Sequence, residues 1–166
     1  MNAQPHGYLT WDVAELARSM KLQEADVRLY FTDGRRVSFI LERRIAAEVV
    51  HGKLAASEGA GYDLICSAGH CWEVRSITRS GIYFCPSYMV GSGRSFDEGG
   101  FLAKLCKIEG YIVSDVESFP HIPYWLVPKT TVESWWRAGT LGTASKISRD
   151  GALRLLRALP PTKSLE

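Results

Sequence analysis

The stretch GYDLICSAGHCWEVRSIT, residues 61–78, decides the fold of this chain. Asp63 opens a short apolar segment, a polar turn over 67–70 follows, and Glu73 lies inside a second segment of alternating residues. Two strands joined by this turn would bring both carboxylates to one edge of a sheet. Arg75 stands two positions after Glu73 and therefore projects from the same face of its strand. Two acids and a cation converging in this way suit metal-assisted phosphodiester cleavage, although an ordinary surface hairpin can carry them too.

The segments around this hairpin predict a mixed α/β fold. Hydrophobic periodicity predicts short helices over 10–21 and 23–31 and a long helix over 36–57. Strands are predicted over 62–67, 71–78, 81–86, 111–116 and 124–127, and further helices over 96–107, 130–138 and 148–158. A meander of three strands, a crossover helix and another strand give a central mixed sheet with an α-β-β-β-α-β core flanked by helices. The tail at 160–166 is predicted to fray.

The N-terminal residues 1–35 are predicted to form a small helical hairpin, and residues 36–166 to form the α/β domain. The segment AELARSMKLQEADVRLY, residues 14–30, resembles a helix-turn-helix, with small or apolar residues at Ala17, Leu22 and Val27. Any αα-hairpin needs the same spacing. Arg28 is the one obvious DNA contact on the second helix, so both interpretations of this hairpin stay open.

Composition bounds the class of partner. The chain has 166 residues, of which 46% are hydrophobic and 23% charged, and its net charge is +2. This balance gives no overall polybasic signal for nucleic acid or membranes. Arginines are nevertheless concentrated locally at Arg35, Arg36, Arg43, Arg44, Arg75, Arg79 and Arg94. Such clusters can line a nucleic-acid groove, although a solvated helix face explains the first four equally well.

Two features of the sequence bear on its compartment. No segment approaches 18 uninterrupted apolar residues, so no transmembrane helix is predicted. The start, MNAQPHGYLTWD, lacks a basic region followed by an apolar run, so no signal peptide is predicted either. A cytoplasmic protein is the resulting expectation.

The four cysteines are Cys66, Cys71, Cys85 and Cys106. Cys66 and Cys71 could bind zinc together with His70, but no second ligand pair follows at the spacing of a zinc finger. Cys66 and Cys85 occupy apolar positions in predicted strands. We therefore expect buried free thiols.

The element order, with Asp63, a nine-residue gap and the triplet Glu73-Val74-Arg75, resembles the core of the PD-(D/E)XK nucleases. This superfamily includes most type II restriction endonucleases and several repair nucleases. The resemblance covers about residues 38–116. It implies a further acid on the leading helix, and the text RRIAAEVV points to Glu48. The chain departs from the family by having Arg75 in place of lysine. Arginine stays charged, so it can stabilise phosphate charge or position water but cannot act as a base.

The resemblance implies a Mg²⁺-dependent endonuclease that hydrolyses double-stranded DNA, most simply a type II restriction enzyme acting as a C2 homodimer. The implied catalytic residues are Asp63, Glu73, Arg75 and Glu48. The implied ligands of Mg²⁺, for which Mn²⁺ could substitute, are Asp63, Glu73, the carbonyl of Val74 and Glu48. The expected DNA contacts are Arg94, Arg79, Arg28, Arg35 and Arg36. Two alternatives remain: a non-catalytic helix-turn-helix DNA-binding regulator, and a repair or junction-resolving nuclease.

Overall fold

The computed structural model describes residues 4–142 and 145–160. Within these ranges the α-helices are Val13–Met20 (α1), Glu24–Thr32 (α2), Gly34–Glu48 (α3), Glu98–Lys107 (α4), Lys129–Arg137 (α5) and Arg149–Arg157 (α6). The strands are Gly7–Thr10 (β1), Lys53–Leu54 (β2), Leu64–Ile65 (β3), Cys71–Ile77 (β4), Ile82–Tyr83 (β5), Gly110–Asp115 (β6), His121–Pro128 (β7) and Lys146–Ile147 (β8). The predicted mixed α/β class is confirmed. The predicted fraying concerns a tail that, after Pro160, lies outside the described residues.

A curled mixed sheet of six strands, in the order β1-β7-β6-β4-β3-β2, forms the centre of the described fold. Strands β4 and β6 run parallel, with Glu73 opposite Tyr111 and Arg75 opposite Val113. The other neighbouring strands are antiparallel. A parallel pair needs a crossover connection, and α4 lies within the segment that joins β4 to β6. Within this sheet the order α3, β2, β3, β4, α4, β6 follows the predicted α-β-β-β-α-β pattern, although β2 takes part in place of the strand predicted over 81–86.

Side chains alternate between the two faces of the sheet and form two hydrophobic clusters. On one face, Trp72 and Ile112 pack in the cluster that includes Leu41 and other residues of α1, α2 and α3. On the other face, Tyr111 packs in the cluster that includes Phe101 and other residues of α4, α5 and α6. The N-terminal hairpin therefore shares its core with the sheet, and a domain division at residue 35 stays a prediction. None of these helices, in the described part of the chain, has the length and apolar character needed to cross a membrane.

The long helix predicted over 36–57 is wrong at its C-terminal end. Helix α3 stops at Glu48, and the chain then reverses through His51, which has a φ of 47°. Gly52 fits tightly against β3, because a Cβ at this position would lie 1.9 Å from the carbonyl oxygen of Ile65. The residues that follow form β2, which pairs with β3. The sequence therefore contains a strand where helical composition had predicted a helix.

The strand predicted over 81–86 is also misplaced. Its observed part, β5, pairs with β8 in a separate two-stranded sheet and not with β4. The chain turns sharply between Thr78 and Gly81, and Gly81 adopts a φ of 106°. A Cβ on Gly81 would lie 2.1 Å from the carbonyl oxygen of Ile147, so only glycine allows this approach. The meander is therefore β2-β3-β4, with the hairpin acids at the start of its second strand and within its third.

Replacement of Gly52 by alanine tests the turn between α3 and β2. The new Cβ must displace backbone, so we expect the free energy of unfolding of Gly52→Ala to fall by about 2–3 kcal/mol in urea denaturation. Gly59→Ala is the matched control, because no atom lies within 4 Å of a Cβ at Gly59. Equal stability of the two variants would contradict this account of the turn.

Candidate active site

Glu73 is the buried centre of the site, with only 4% of its surface exposed. Its Oε1 pairs with Nη2 of Arg75 at 2.7 Å, and its Oε2 pairs with Nζ of Lys104 on α4. The Lys104 ammonium also donates to the carbonyl oxygen of Gly61 at 2.8 Å. A carboxylate removed from water is costly unless cations and hydrogen bonds compensate it. Glu73 meets that condition with two cations, one from its own strand and one from the crossover helix.

Asp63 stands beside Glu73, as the hairpin predicts. It directly precedes β3, and its Oδ2 accepts the backbone N–H of Val74 at 2.7 Å. Its own N–H donates to the carbonyl of Trp72 at 3.0 Å, which continues the antiparallel pairing of β3 with β4. Burial raises the pKa of the Asp63 carboxyl, and the negative charge of Glu73 adds to the rise. The hydrogen bond from Val74 opposes this shift without cancelling it.

Glu42 on α3 is the third acid of the site, and sequence reasoning missed it. Burial raises the pKa of its carboxyl to about 7, and the charge of Asp63 adds to the rise. Glu42 shares one helical face with Arg35 and Ser38, at spacings of seven and four residues, and all three line the same cleft. This stripe of polar residues was the signal in the sequence that could have identified Glu42 as a site residue. It lies beside the apolar stripe that the sequence analysis used to place the helix.

The structure does not bring Glu48 to the other acids. Glu48 and Glu42 lie six residues apart, which places them about 120° apart around the helix axis. Both carboxylate oxygens of Glu48 accept from Arg44, at 2.6 and 2.7 Å. This hydrogen bonding lowers the pKa of the exposed Glu48 carboxyl. Arg44 in turn donates to the carbonyl of Thr10 and stacks over Trp11, so this ion pair ties α3 to the N-terminal strand.

Arg75 is held at several points besides Glu73. Its Nη1 donates to the carbonyl of Val74 at 3.2 Å, and its Nη2 donates to the carbonyl of Cys85 at 3.3 Å. The guanidinium therefore braces the strand and the segment after β5, and it fixes one oxygen of Glu73. The other oxygen is fixed by Lys104, a residue that sequence reasoning also missed.

Lys104 belongs to one face of α4 that lines the cleft. The members of this face recur at helical spacing: Gly100, Ala103, Lys104 and Lys107. Two of these positions, Gly100 and Ala103, carry small residues. The combination of small residues and lysines on one face was the only signal in the sequence for this role.

The acids open into a cleft of about 1470 Å³ whose lining contains both signs of charge. The cationic lining residues are Arg35, Arg36, Arg75, Arg79, Lys104 and Lys107. Of the five arginines expected to contact DNA, Arg35, Arg36 and Arg79 line this cleft, and Arg94 lines an adjoining pocket. Arg28 is exposed on α2 and lines neither. Asp33 and Glu117 line the cleft too, and Arg36 pairs with Asp33, so over the described ranges the lining cations without an ion pair are Arg35, Arg79 and Lys107.

The donor set fits a hard divalent cation only in part. Among the described residues, no three His, Cys, Asp or Glu side chains form a preorganised metal cage. Mg²⁺ does not require one, because it commonly takes one or two carboxylates and completes its shell with waters and substrate phosphates. Asp63 and Glu42 supply half-buried carboxylates, and burial raises the pKa of both. Glu73 already pairs with Arg75 and Lys104, and the Val74 carbonyl already accepts from Arg75. Both groups would therefore have to bind the cation in addition to these partners.

The zinc interpretation of the cysteines gains nothing from the structure. All four cysteines are free, with Cys66 and Cys85 buried as expected and Cys106 exposed on α4. Over the described ranges, Cys66, Cys71 and His70 form no group that could hold a metal ion. The buried pair Cys66 and Cys85 belongs to the two hydrophobic clusters.

The raised pKa of Glu42 predicts a pH-dependent stability. Between pH 4.5 and about pH 7 the folded protein holds a proton on Glu42 that the unfolded chain has lost, so stability falls as pH rises through this window. We expect Glu42→Gln to stabilise the metal-free protein at pH 8 but not at pH 4.5, as measured by urea unfolding. Glu48→Gln is the control of opposite sign, because the Glu48 pKa is lowered and its loss should destabilise at pH 8. The same response from both variants would contradict this electrostatic assignment.

Comparisons with known proteins leave the site to be interpreted from its own geometry. No protein-family model matches the chain, and no curated protein or solved structure matches it significantly. The resemblance of the hairpin motif to the PD-(D/E)XK nucleases therefore stays a prediction. What bears on function is the convergence of Glu42, Asp63, Glu73 and Lys104 in one cleft.

Proposed function

We propose that this chain is a Mg²⁺-dependent endonuclease that hydrolyses phosphodiester bonds in double-stranded DNA, of the type II restriction kind. The observation that carries the proposal is the convergence of Glu42, Asp63 and Glu73 with Lys104 in one cleft that Arg35, Arg79 and Lys107 also line. The α-β-β-β-α-β order of the core supports it further, because it matches the order expected of a PD-(D/E)XK nuclease. No observation favours the regulator over this function.

Asp63 and Glu42 would hold the cation, with Glu73 and the carbonyl of Val74 completing the protein ligands. A bound Mg²⁺, or Mn²⁺ in its place, would polarise the scissile phosphate and lower the pKa of an attacking water. The backbone N–H of Val74 fixes Asp63, so this carboxylate needs little rearrangement to act as a ligand. Glu42 would replace Glu48 as the acid of the leading helix.

Lys104 and Arg75 would divide the work that a single motif lysine does in the resembled family. An ammonium group has three N–H donors. Those of Lys104 go to Glu73 and Gly61, which leaves a third donor for water or for a phosphate oxygen. Arg75 donates to two backbone carbonyls as well as to Glu73, so we assign it the positioning of that carboxylate. In this proposal Lys104 is the group that meets the substrate.

The remaining expectations follow from the substrate. One active site of this kind would cut one strand, so cleavage of both strands of a short palindromic site would require a C2 homodimer. Restriction of DNA also places the protein in the cytoplasm. A helix-turn-helix regulator would bind DNA without cutting it, and a repair or junction-resolving nuclease would prefer branched DNA to a linear duplex.

Substitution of the hairpin acids tests the proposal. We expect Asp63→Asn and Glu73→Gln each to lower the rate of plasmid cleavage in Mg²⁺ by at least about 10²-fold, while DNA binding in Ca²⁺ stays measurable. Glu133→Gln is the matched control, because Glu133 lies on α5, lines neither the cleft nor its adjoining pocket, and pairs only with Arg137 among the described residues. Full cleavage by both hairpin variants would refute the assignment.

The choice between the two helix acids has its own test. If Glu42 acts at the site, Glu42→Gln lowers the cleavage rate about 10²-fold and raises the Mg²⁺ concentration needed for half-maximal rate. Glu48→Gln should change neither quantity, because the Glu48 carboxylate pairs with Arg44 away from the cleft. The reverse pattern would restore Glu48 as the catalytic acid.

Two substitutions distinguish the roles of Lys104 and Arg75. Lys104→Gln should lower the single-turnover cleavage rate about 10²-fold and change the pH profile of that rate, because a group that meets the substrate is lost. Arg75→Lys should keep most of the rate, since lysine can still pair with Glu73. Circular dichroism melting checks that both variants fold. A larger loss in Arg75→Lys than in Lys104→Gln would assign the reacting role to the arginine.

A further inference from the structure

A second pocket of about 490 Å³ adjoins the cleft. Its lining residues are Arg35, Ser87, Val90, Gly91, Ser92 and Arg94. Three of these, Arg35, Ser87 and Val90, also line the cleft, so the two cavities are continuous. The pocket joins two parts of the fold, since one wall comes from the first turn of α3 and the other from the segment 87–94.

The charge of this pocket is positive. Two arginines and two serines line it, and the lining residues include no acid. The Arg94 guanidinium is fixed, because its Nη1 donates to the carbonyls of Ser87 at 2.9 Å and Val90 at 3.2 Å. These bonds leave its Nε and Nη2 hydrogens for a ligand. Over the described ranges, neither Arg35 nor Arg94 forms an ion pair with an acidic side chain.

We propose that this pocket binds one backbone phosphate of the DNA, next to the phosphate that the acids cut. The inference rests on the proposed function and adds a second point of attachment for its substrate. Two guanidinium groups and two hydroxyls match the donors that phosphate oxygens accept, and such contacts fix the register of DNA without reading its sequence. Because the pocket is continuous with the cleft, the bound DNA strand would run from Asp63 towards Arg94.

The test is the salt dependence of DNA binding. A 30-base-pair duplex is titrated with the full-length protein in Ca²⁺, and log Kd is plotted against log salt. Because Arg35 and Arg94 share one phosphate, the double variant Arg35→Gln/Arg94→Gln should flatten the slope by about 0.9. Glutamine at position 94 retains a donor for the carbonyls of Ser87 and Val90. Arg154→Gln, an exposed site on α6 that lines neither cavity, is the control and should leave the slope unchanged.

The outcomes separate this inference from the proposed function. A wild-type protein that binds no DNA contradicts the proposed function itself. If the wild type binds DNA and the double variant behaves like Arg154→Gln, the pocket is refuted while the function stands. A flattening of about 1.8 would mean two independent surface charges and would also overturn the shared site. Titration with inorganic phosphate, followed by NMR shifts of residues 87–94, tests a free-phosphate site. Tight phosphate binding that the double substitution abolishes while DNA binding is unaffected would overturn the DNA assignment.

Discussion

The site depends on the buried carboxylate of Glu73, held between Arg75 and Lys104. With 4% of its surface exposed, Glu73 cannot be compensated by water, and loss of one partner of such a pair costs about 3–5 kcal/mol. Because Arg75 lies on β4 and Lys104 on α4, the interaction ties the crossover helix to the strand that it follows. The cleft then has α4 on one wall and α3 on another. This ion-paired acid thus fixes the α4 wall against β4, while α3 is held by its own hydrophobic cluster on the other face of the sheet.

The charged forms of Asp63 and Glu42 are not stabilised in the way that the charged form of Glu73 is. Burial raises the pKa values of Asp63 and Glu42, and repulsion by Glu73 on Asp63 and by Asp63 on Glu42 adds to the rise, so their charged forms are destabilised in the free protein. A small cation among them would relieve this repulsion and lower both pKa values. Arginines and lysines line the same cleft, where a polyanion would meet them. The proposed nuclease thus has two electrostatic requirements. Its acids would be stabilised by a cation, and the arginines and lysines of the same cleft would bind phosphate.

Sequence reasoning succeeded where the signal was local. The alternation along β4 placed Glu73 and Arg75 on one face, and the apolar runs located the helices and the longer strands. It missed β1, β2 and β8, which are strands of two to four residues, too short to show periodicity. It located β5 but not its pairing with β8 in a separate sheet. It missed Glu42 and Lys104 because the face that a helix turns towards a strand is decided by packing. The sequence pointed to Glu48 as the acid on the leading helix, but Glu48 forms an ion pair with Arg44 on the same helix.

The most direct measurement is the incubation of phage DNA with the wild-type protein and Mg²⁺, followed by sequencing of the DNA ends. The proposed nuclease should give discrete fragments whose ends all fall at one short sequence, and it should not cut when EDTA removes the metal. Cutting at branched structures alone would favour a repair or junction-resolving nuclease. Intact DNA at every Mg²⁺ and Mn²⁺ concentration, together with a salt-sensitive gel shift, would contradict the account and favour a non-catalytic DNA-binding protein.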